Sequence, residues 1–346
     1  MLIYNQQYLN SLENSIKAFP LWDRLNGSTI LITGGTGLVC SYLVDMIMYC
    51  NQINGTDINV MVTGRNEETV IERFEKWFFT GKFIYIKQDL SKELNIPDRA
   101  DYVIHAAGNA YPALFDKEPV QTMKTTLFGT NNLLEYAVRS GAKNFVYISS
   151  GEIYGERVIT EGVQENFCGY TDYMDSRSCY PVSKMAAETL CASYSKQYGI
   201  HTNVARLCHV YGPTMTKSDN RVINQFLRNV LAGEDIVMKS TGSKVRSYCY
   251  VADATLAILY IMLNGKDSEA YNVAYEESVM SIKEIAETVA ELGDRKVVMT
   301  LKEEVGGTKI EKSILNNEKL KGLGWNGRYT MKDGLKESYE INKGLE

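Results

Sequence analysis

The chain has 346 residues, of which 45% are hydrophobic and 23% charged, with a net charge of -5. That length allows one large domain or a large and a small one, and that composition is typical of a soluble globular protein. The negative balance argues against nucleic acid or an anionic membrane as principal partner, and no apolar run nears the ~20 residues of a membrane span. Met1 to Asn26 lacks the basic start and apolar core of a signal peptide. Within it, Tyr8, Leu9, Leu12, Ile16 and Phe19 predict a short amphipathic helix laid on the domain and ended by Pro20. Ser28 to Thr33 predicts a buried strand, closed by Gly34-Gly35-Thr36-Gly37 and followed by a helix from Leu38 to about Tyr49. Next come a strand from Ile58 to Thr63, a helix from Glu67 to Phe78, and strands at Phe83–Lys87 and Tyr102–His105. A helix is expected from Val120 to Arg139, a strand at Phe145–Ile148, a helix from Tyr180 to Tyr198 and a strand at Thr202–Leu207. Apolar strands alternating with amphipathic helices predict an α/β fold with a parallel sheet covered on both faces. After Tyr211-Gly212-Pro213 the alternation breaks down. Seven scattered cysteines without Cys-x-x-Cys spacing fit a reduced, cytoplasmic protein, and three dispersed histidines suggest no metal centre.

The glycine run lies between a strand and a helix, where a dinucleotide pyrophosphate meets backbone amides at a helix N-terminus. Gly34, Thr36, Gly37 and Leu38 are the residues expected there, with Cys40 standing where a third glycine often packs. An acid at the end of the second strand would favour NAD; this chain has Thr63-Gly64-Arg65-Asn66 instead. Arg65 either pairs with the 2'-phosphate of NADP or is a solvated helix start, so the cofactor is NAD or NADP with a lean to NADP. Asp89-Leu90 ends the third strand, where a carboxylate can accept from the adenine amine. Ala106-Ala107-Gly108 ends the fourth, where small residues let the cofactor lie against the backbone. Tyr180 and Lys184 are one helical turn apart on one face. A lysine ammonium beside a phenol, with an oxidised nicotinamide nearby, lowers the phenol pKa and makes a general base. Ser150, at the end of the preceding strand, is placed to hold the same substrate oxygen.

Together Thr33-Gly34-Gly35-Thr36-Gly37, Asp89-Leu90, His105-Ala106-Ala107, Ser149-Ser150 and Tyr180-Pro181-Val182-Ser183-Lys184 resemble the extended short-chain dehydrogenase/reductase family. That family holds nucleotide-sugar epimerases, 4,6-dehydratases and decarboxylases. Arg206 with Tyr211-Gly212-Pro213, and Gly242 through Arg246 to Tyr250-Val251-Ala252-Asp253, extend the likeness to about residue 330. Arg177-Ser178-Cys179-Tyr180, Ala187-Glu188-Thr189-Leu190-Cys191 and Asn220-Arg221-Val222-Ile223 are similar to the UDP-glucuronate decarboxylase branch. The resemblance implies a doubly wound parallel Rossmann sheet over 1–210 and about 247–275, with an N-terminal helical extension over 1–27. A small irregular α/β substrate-binding lobe would take 211–246 and 276–346. It further implies a nucleotide-diphosphate sugar in the cleft, oxidised at C4 and then modified. Tyr180, Lys184, Ser150 and Glu152 would be catalytic, and Arg177, Arg221 and Arg246 would hold the substrate. His209 and Val210 would border the cofactor, with His209 either packed in the core or touching the sugar. A homodimer through the helices at Val120–Arg139 and Tyr180–Tyr198 is expected, and Asp253 is expected to cap a helix from Ala254 to Leu263.

The resemblance leaves the net reaction between decarboxylation and epimerisation, with 4,6-dehydration, keto-sugar reduction and non-catalytic dinucleotide sensing as alternatives. The 4,6-dehydratases place Asp where Gly151 stands, and glycine donates no proton. Simple 4-epimerases usually lack a carboxylate at the position of Glu152. Three positions depart from the family pattern: Thr126 and His209 stand where Asn is usual, and Glu311-Lys312-Ser313 replaces an Arg-Arg-Lys run of the decarboxylases.

Overall fold

Alternation of apolar side chains to two sides of a sheet is the feature that organises the chain. A computed structural model describes residues 1–96, 99–108, 110–156, 161–216, 219–300 and 310–345. Strands β1 (Thr29–Thr33), β2 (Asn59–Gly64), β3 (Phe83–Lys87), β4 (Tyr102–His105), β5 (Asn144–Ser150) and β6 (Thr202–Leu207) lie in one parallel sheet. A later strand, β10 (Glu269–Val273), joins its edge, giving seven strands in the order β3-β2-β1-β4-β5-β6-β10. Ile30, Ile32, Val60, Val62, Ile104 and Val146 enter one core; Leu31, Met61, Val103, Phe145 and Tyr147 enter the other. Buried on both faces, these strands read as continuous apolar runs.

On the first face lie α2 (Leu38–Asn54) and α8 (Val251–Asn264), covered in turn by α1 (Gln6–Lys17). Tyr8, Leu12 and Ile16 are the buried stripe of α1, and Asn5 caps it by accepting from the Tyr8 amide. Tyr8 also donates its hydroxyl to the fully buried Asp45 of α2 at 2.7 Å. Arg73 from α3 (Glu67–Phe74) and the indole of Trp77 donate to the same carboxylate, at 2.5 and 2.8 Å. The second face is covered by α5 (Pro119–Ser140) and α6 (Cys179–Tyr198), with the short α4 (Pro112–Lys117) before them.

The strand order reverses between β1 and β4, so a crevice opens beyond their C-terminal ends, where Thr33 pairs with His105. Over it sits a second set of strands. β9 (Val245–Tyr250) pairs with β7 (His209–Tyr211) and β13 (Lys312–Ser313) in parallel and with β11 (Val279–Ser281) antiparallel. β8 (Ile236–Met238) and β12 (Val297–Met299) pair beside α7 (Val222–Leu231) and α9 (Ile282–Leu292). The short α10 (Glu318–Lys321) and α11 (Met331–Lys343) complete the chain.

Three local expectations change. The helix expected to Phe78 ends at Phe74 and tightens into a 3-10 turn over Glu75–Trp77, which brings the indole to Asp45. α2 continues past Tyr49 until Gly55 ends it. Asp253 is not the cap of α8: Tyr250 is the N-cap, and Asp253 lies in the first turn, accepting from the Arg328 and Tyr329 amides at 2.8 and 2.9 Å.

Candidate active site

Beyond β1 the chain turns through Gly34, whose φ of +68° is left-handed. A Cβ there would meet Ala106 C and Ala107 N at 2.9 Å, and one at Gly35 would meet Val62 Cγ1 at 2.5 Å. Only glycine lets this loop lie on the ends of β2 and β4. Gly37 caps α2 without a side-chain bond, and no acid stands in the first turn. The first amides of the helix therefore face outward with their partial positive charge, a ready anion site. Thr36 is half-buried and Gly37 exposed beside the buried Leu38, whose carbonyl accepts from Thr214 at 2.7 Å. These features fit a dinucleotide pyrophosphate. Ala106 and Ala107 donate their amides to Thr33 Oγ1 at 3.2 and 3.1 Å. With two bonds accepted, that hydroxyl donates to His105 Nδ1 at 2.8 Å, leaving Nε2–H to reach Thr130 at 3.2 Å. Burial, and then the nearby Lys184, push the His105 imidazole down to about 3.

Arg65 is exposed at the end of β2, near enough to Asp89 to act on it. Hydrogen bonds from the hydroxyl and amide of Ser91, at 2.8 and 3.0 Å, hold Asp89 below the usual carboxylate range. Leu90 is buried beneath, against Gly129.

Across the crevice, α6 opens with Cys179 and Tyr180, and Pro181 sits in its first turn, where a missing N–H costs nothing. The Tyr180 ring is buried and stacks on Phe115 of α4, with centroids 4.4 Å apart and planes at 13°. Ser150 is close enough to the phenol to lower its pKa. Lys184 donates its ammonium to the Ile148 carbonyl at 2.7 Å and lies 5.9 Å from the centre of the Tyr180 ring. Burial, then Glu152, push the phenol well above its ordinary value; the strongest opposing cations are Arg221 and Arg177. The expected lowering by Lys184 is therefore not the dominant effect, because that ammonium is turned to β5. Burial pulls the Lys184 ammonium itself down to about 8.

Glu152 follows in a 3-10 turn, its amide donating to Ser150 Oγ at 3.2 Å. Its side chain keeps 47% of its surface accessible, with Arg177 Nη2 at 3.9 Å. Burial by the walls around the carboxyl raises it above the ordinary value. Arg177 also lies 4.0 Å from Asp116 and over the Phe115 ring at 4.7 Å. Beside Glu152, a Cβ on Gly151 would meet Leu315 Cδ1 at 3.2 Å, so an apolar side chain fills the place of a dehydratase acid.

On the lobe side, Val210 is buried on β7 while His209 is exposed to the crevice, so the packed-core reading of this histidine is replaced. The walls around the ring restrict its solvation although its surface is open, and this, then Arg246 and Arg221, pushes His209 down to about 4. Arg221 is clamped by Asp219 at 2.5 Å and donates to the Val210 carbonyl at 3.3 Å. Arg246 is 7% exposed and donates to the Val245, Ile310 and Glu311 carbonyls at 2.8, 2.7 and 2.9 Å. It thus binds the backbone near β13, which differs from a cation open to a diphosphate. The structure brings Tyr180, Lys184, Ser150, Glu152, Arg177 and Arg221 into one neighbourhood. Sequence reasoning missed Phe115, Leu315 and Asp219, which carry no motif. Asn220, singled out only as part of a motif, donates to the Tyr111 hydroxyl at 2.8 Å.

A family model described as the NAD dependent epimerase/dehydratase family matches residues 30–274. UDP-glucuronic acid decarboxylase 3 of Arabidopsis thaliana is 32% identical over 306 residues, covering 88% of this chain and 86% of that protein. The UDP-glucose 4-epimerase of Thermotoga maritima, solved with UDP-glucose, superposes with a TM-score of 0.78 at 27% identity, covering 92% of this chain and all of that one (100%). A UDP-glucuronic acid 4-epimerase of Bacillus cereus, solved with a fluorinated UDP-glucuronic acid and NAD, shares the fold at a TM-score of 0.79 and 20% identity, over 92% of this chain and 100% of that one.

Proposed function

The chain belongs to the NAD dependent epimerase/dehydratase family, and we propose that it oxidises a nucleotide-diphosphate sugar at C4 and then removes the C6 carboxylate of the keto-sugar. NAD, held by the Gly34–Leu38 loop and the Ala106-Ala107 backbone, would supply the hydride acceptor and donor. Tyr180 takes the C4 hydroxyl proton, Ser150 holds that oxygen, and the Phe115 ring fixes the phenol plane. A ketone at C4 then stands beside the carbon bearing the carboxylate. When the C5–C6 bond breaks, its electron pair passes toward the ketone oxygen, and carbon dioxide leaves. C5 takes up a proton, and Glu152, the carboxyl beside Ser150 and Tyr180, is assigned as its donor.

The observation that carries this reading is the Gly151-Glu152 step: Leu315 closes the place of a dehydratase acid while a carboxylate stands next to Tyr180. The decarboxylase relatives support the same direction. Epimerisation is the second reading, favoured by the likeness to the Thermotoga enzyme and by Lys312 in place of an arginine. Incubation with UDP-glucuronate and NAD decides between them. Carbon dioxide with a UDP-pentose supports the proposal, a 4-epimer alone moves the chain to the second reading, and a 4-keto-6-deoxy product from a UDP-hexose overturns both.

The same reading takes 211–246 and 276–346 as the substrate lobe, of which 217–218, 301–309 and 346 lie outside the described residues. It has Arg177 and Arg221 hold the sugar end, and keeps Arg65 as a contact for a 2'-phosphate, so that NADP is preferred over NAD. It places the enzyme in the cytoplasm as a homodimer joined through α5 and α6, where Val120 and Phe128 stand exposed. Among the described residues no helix is long and apolar enough to cross a membrane.

A further inference from the structure

We propose that Glu188 is a positioning residue that keeps the Lys184 ammonium charged and locks the ends of β5, β6 and α6 in register; this rests on the reading of Tyr180 and Lys184 as the reacting pair. Glu188 lies on α6 one turn beyond Lys184 and two beyond Tyr180. Arg206 of β6 grips its carboxylate through Nη2 at 2.7 Å and Nε at 3.2 Å, and both side chains are only 12% exposed. Ser149 of β5, the neighbour of Ser150, donates its hydroxyl to the other carboxylate oxygen at 2.5 Å. The guanidinium reaches on to the Tyr154 hydroxyl at 3.0 Å and the Glu165 carbonyl at 2.7 Å, and Tyr154 donates to Asn272 of β10 at 2.6 Å. Tyr154 belongs to the 3-10 turn that carries Glu152. One buried carboxylate therefore fixes the strand end bearing Ser150, the helix bearing Tyr180 and Lys184, and indirectly the turn bearing Glu152.

Its charge has a second effect. Lys184 is buried, with its ammonium 4.6 Å from the centre of the Tyr147 ring, and burial pulls the ammonium toward the neutral form. The groups facing it are Cys191 and Tyr180 from α6, Tyr147 from β5, and the neutral His105 from β4. Glu188 is the strongest influence keeping the proton on, with Cys191 next. A buried carboxylate is ordinarily tolerated only when paired, and Arg206 supplies that pairing. Lys184 reaches the Ile148 carbonyl at 2.7 Å and Glu188 accepts from the Ser149 hydroxyl at 2.5 Å, so the two side chains meet adjacent residues of β5.

The test uses the full chain carrying 13C at the lysine ε-carbon, followed by NMR as pH is raised. The Lys184 signal is the one lost in Lys184→Arg. In Glu188→Gln its titration midpoint should fall by about one pH unit. Because a lone Arg206 left buried can unfold the chain, the double variant Glu188→Gln, Arg206→Gln is measured too and should show the same fall. A midpoint that stays in place in the folded variant overturns the proposal. Turnover against pH is recorded in parallel, and its alkaline limb should move down with the midpoint while KM stays within about threefold. Loss of turnover by one factor at every pH, with the midpoint unmoved, marks a merely structural role and overturns the proposal. A moved midpoint with an unmoved alkaline limb supports the Glu188–Lys184 link and overturns the catalytic reading of Lys184 instead.

Discussion

His105 shows how a residue without chemistry of its own can hold the site. Its ring bridges Thr33 and Thr130, and through Thr33 it fixes the two amides at the end of β4. Burial pushes its ring down to about 3 from the 6.5 of a free histidine, so the neutral ring is the native form. The unfolded chain therefore binds more protons below that value, and the stability His105 contributes is present above about pH 6.5 and lost as pH falls toward 3. At pH 5 the loss is about 2 kcal/mol. Asp253 works in the opposite sense, since burial raises its carboxyl to about 6 and stability is lost as pH rises through that value. Urea unfolding at neutral and mildly acidic pH, in the parent and in His105→Asn, separates the two: the variant should lose His105's share of the acid dependence. An unchanged pH slope would show that His105 is not the group responsible. Glu152→Gln tests the chemistry at the same scale. It should cut decarboxylation by about 10^2-fold or more while NAD stays bound, because the amide has no acid proton to give. Decarboxylation at the parent rate would remove Glu152 from the mechanism.

On the proposed reading, cofactor binding depends on the loop between β1 and α2. A methyl group at residue 35 would lie 2.5 Å from Val62 Cγ1, so Gly35→Ala must push β2 and the helix N-terminus apart. Overpacking of this kind costs about 1–3 kcal/mol, and calorimetric titration should show NAD binding weakened by about tenfold or more. Binding equal to the parent would mean that the pyrophosphate lies elsewhere. This loop was legible because backbone geometry demands glycine where strand and helix meet. β4 and β6 were legible to the residue because they are buried and apolar runs mark their length, and the half-buried edge strand β3 was legible to the residue from its apolar run alone. The stop of α3 at Phe74 was not, since it answers to Asp45 on a different helix. The environment of Tyr180 was legible only in part: Ser150 and Lys184 share motifs with it, but Phe115 reaches it from α4 and Arg221 reaches it from the lobe. Such contacts are set by tertiary packing, which leaves no periodicity in the chain.

At the scale of the molecule, the order of the parallel sheet reverses between β1 and β4, and the β7-β9-β11-β13 strands form a second sheet. α5 and α6 pack against each other over β4 and β5, and their outer face carries the exposed Val120, Phe128 and Tyr198. Sedimentation at micromolar concentration should give a dimer mass, and Phe128→Glu should shift it toward the monomer; a parent that sediments as a monomer contradicts the pairing. The dimer would place α6, and with it Tyr180 and Lys184, next to the interface. On the proposed reading, the Tyr180 phenol takes the C4 hydroxyl proton of a nucleotide sugar. Tyr180→Phe removes one oxygen and keeps the ring that stacks on Phe115. With NAD binding confirmed, its turnover of UDP-glucuronate should fall by about 10^2- to 10^4-fold, whereas turnover within about tenfold of the parent would contradict the assignment.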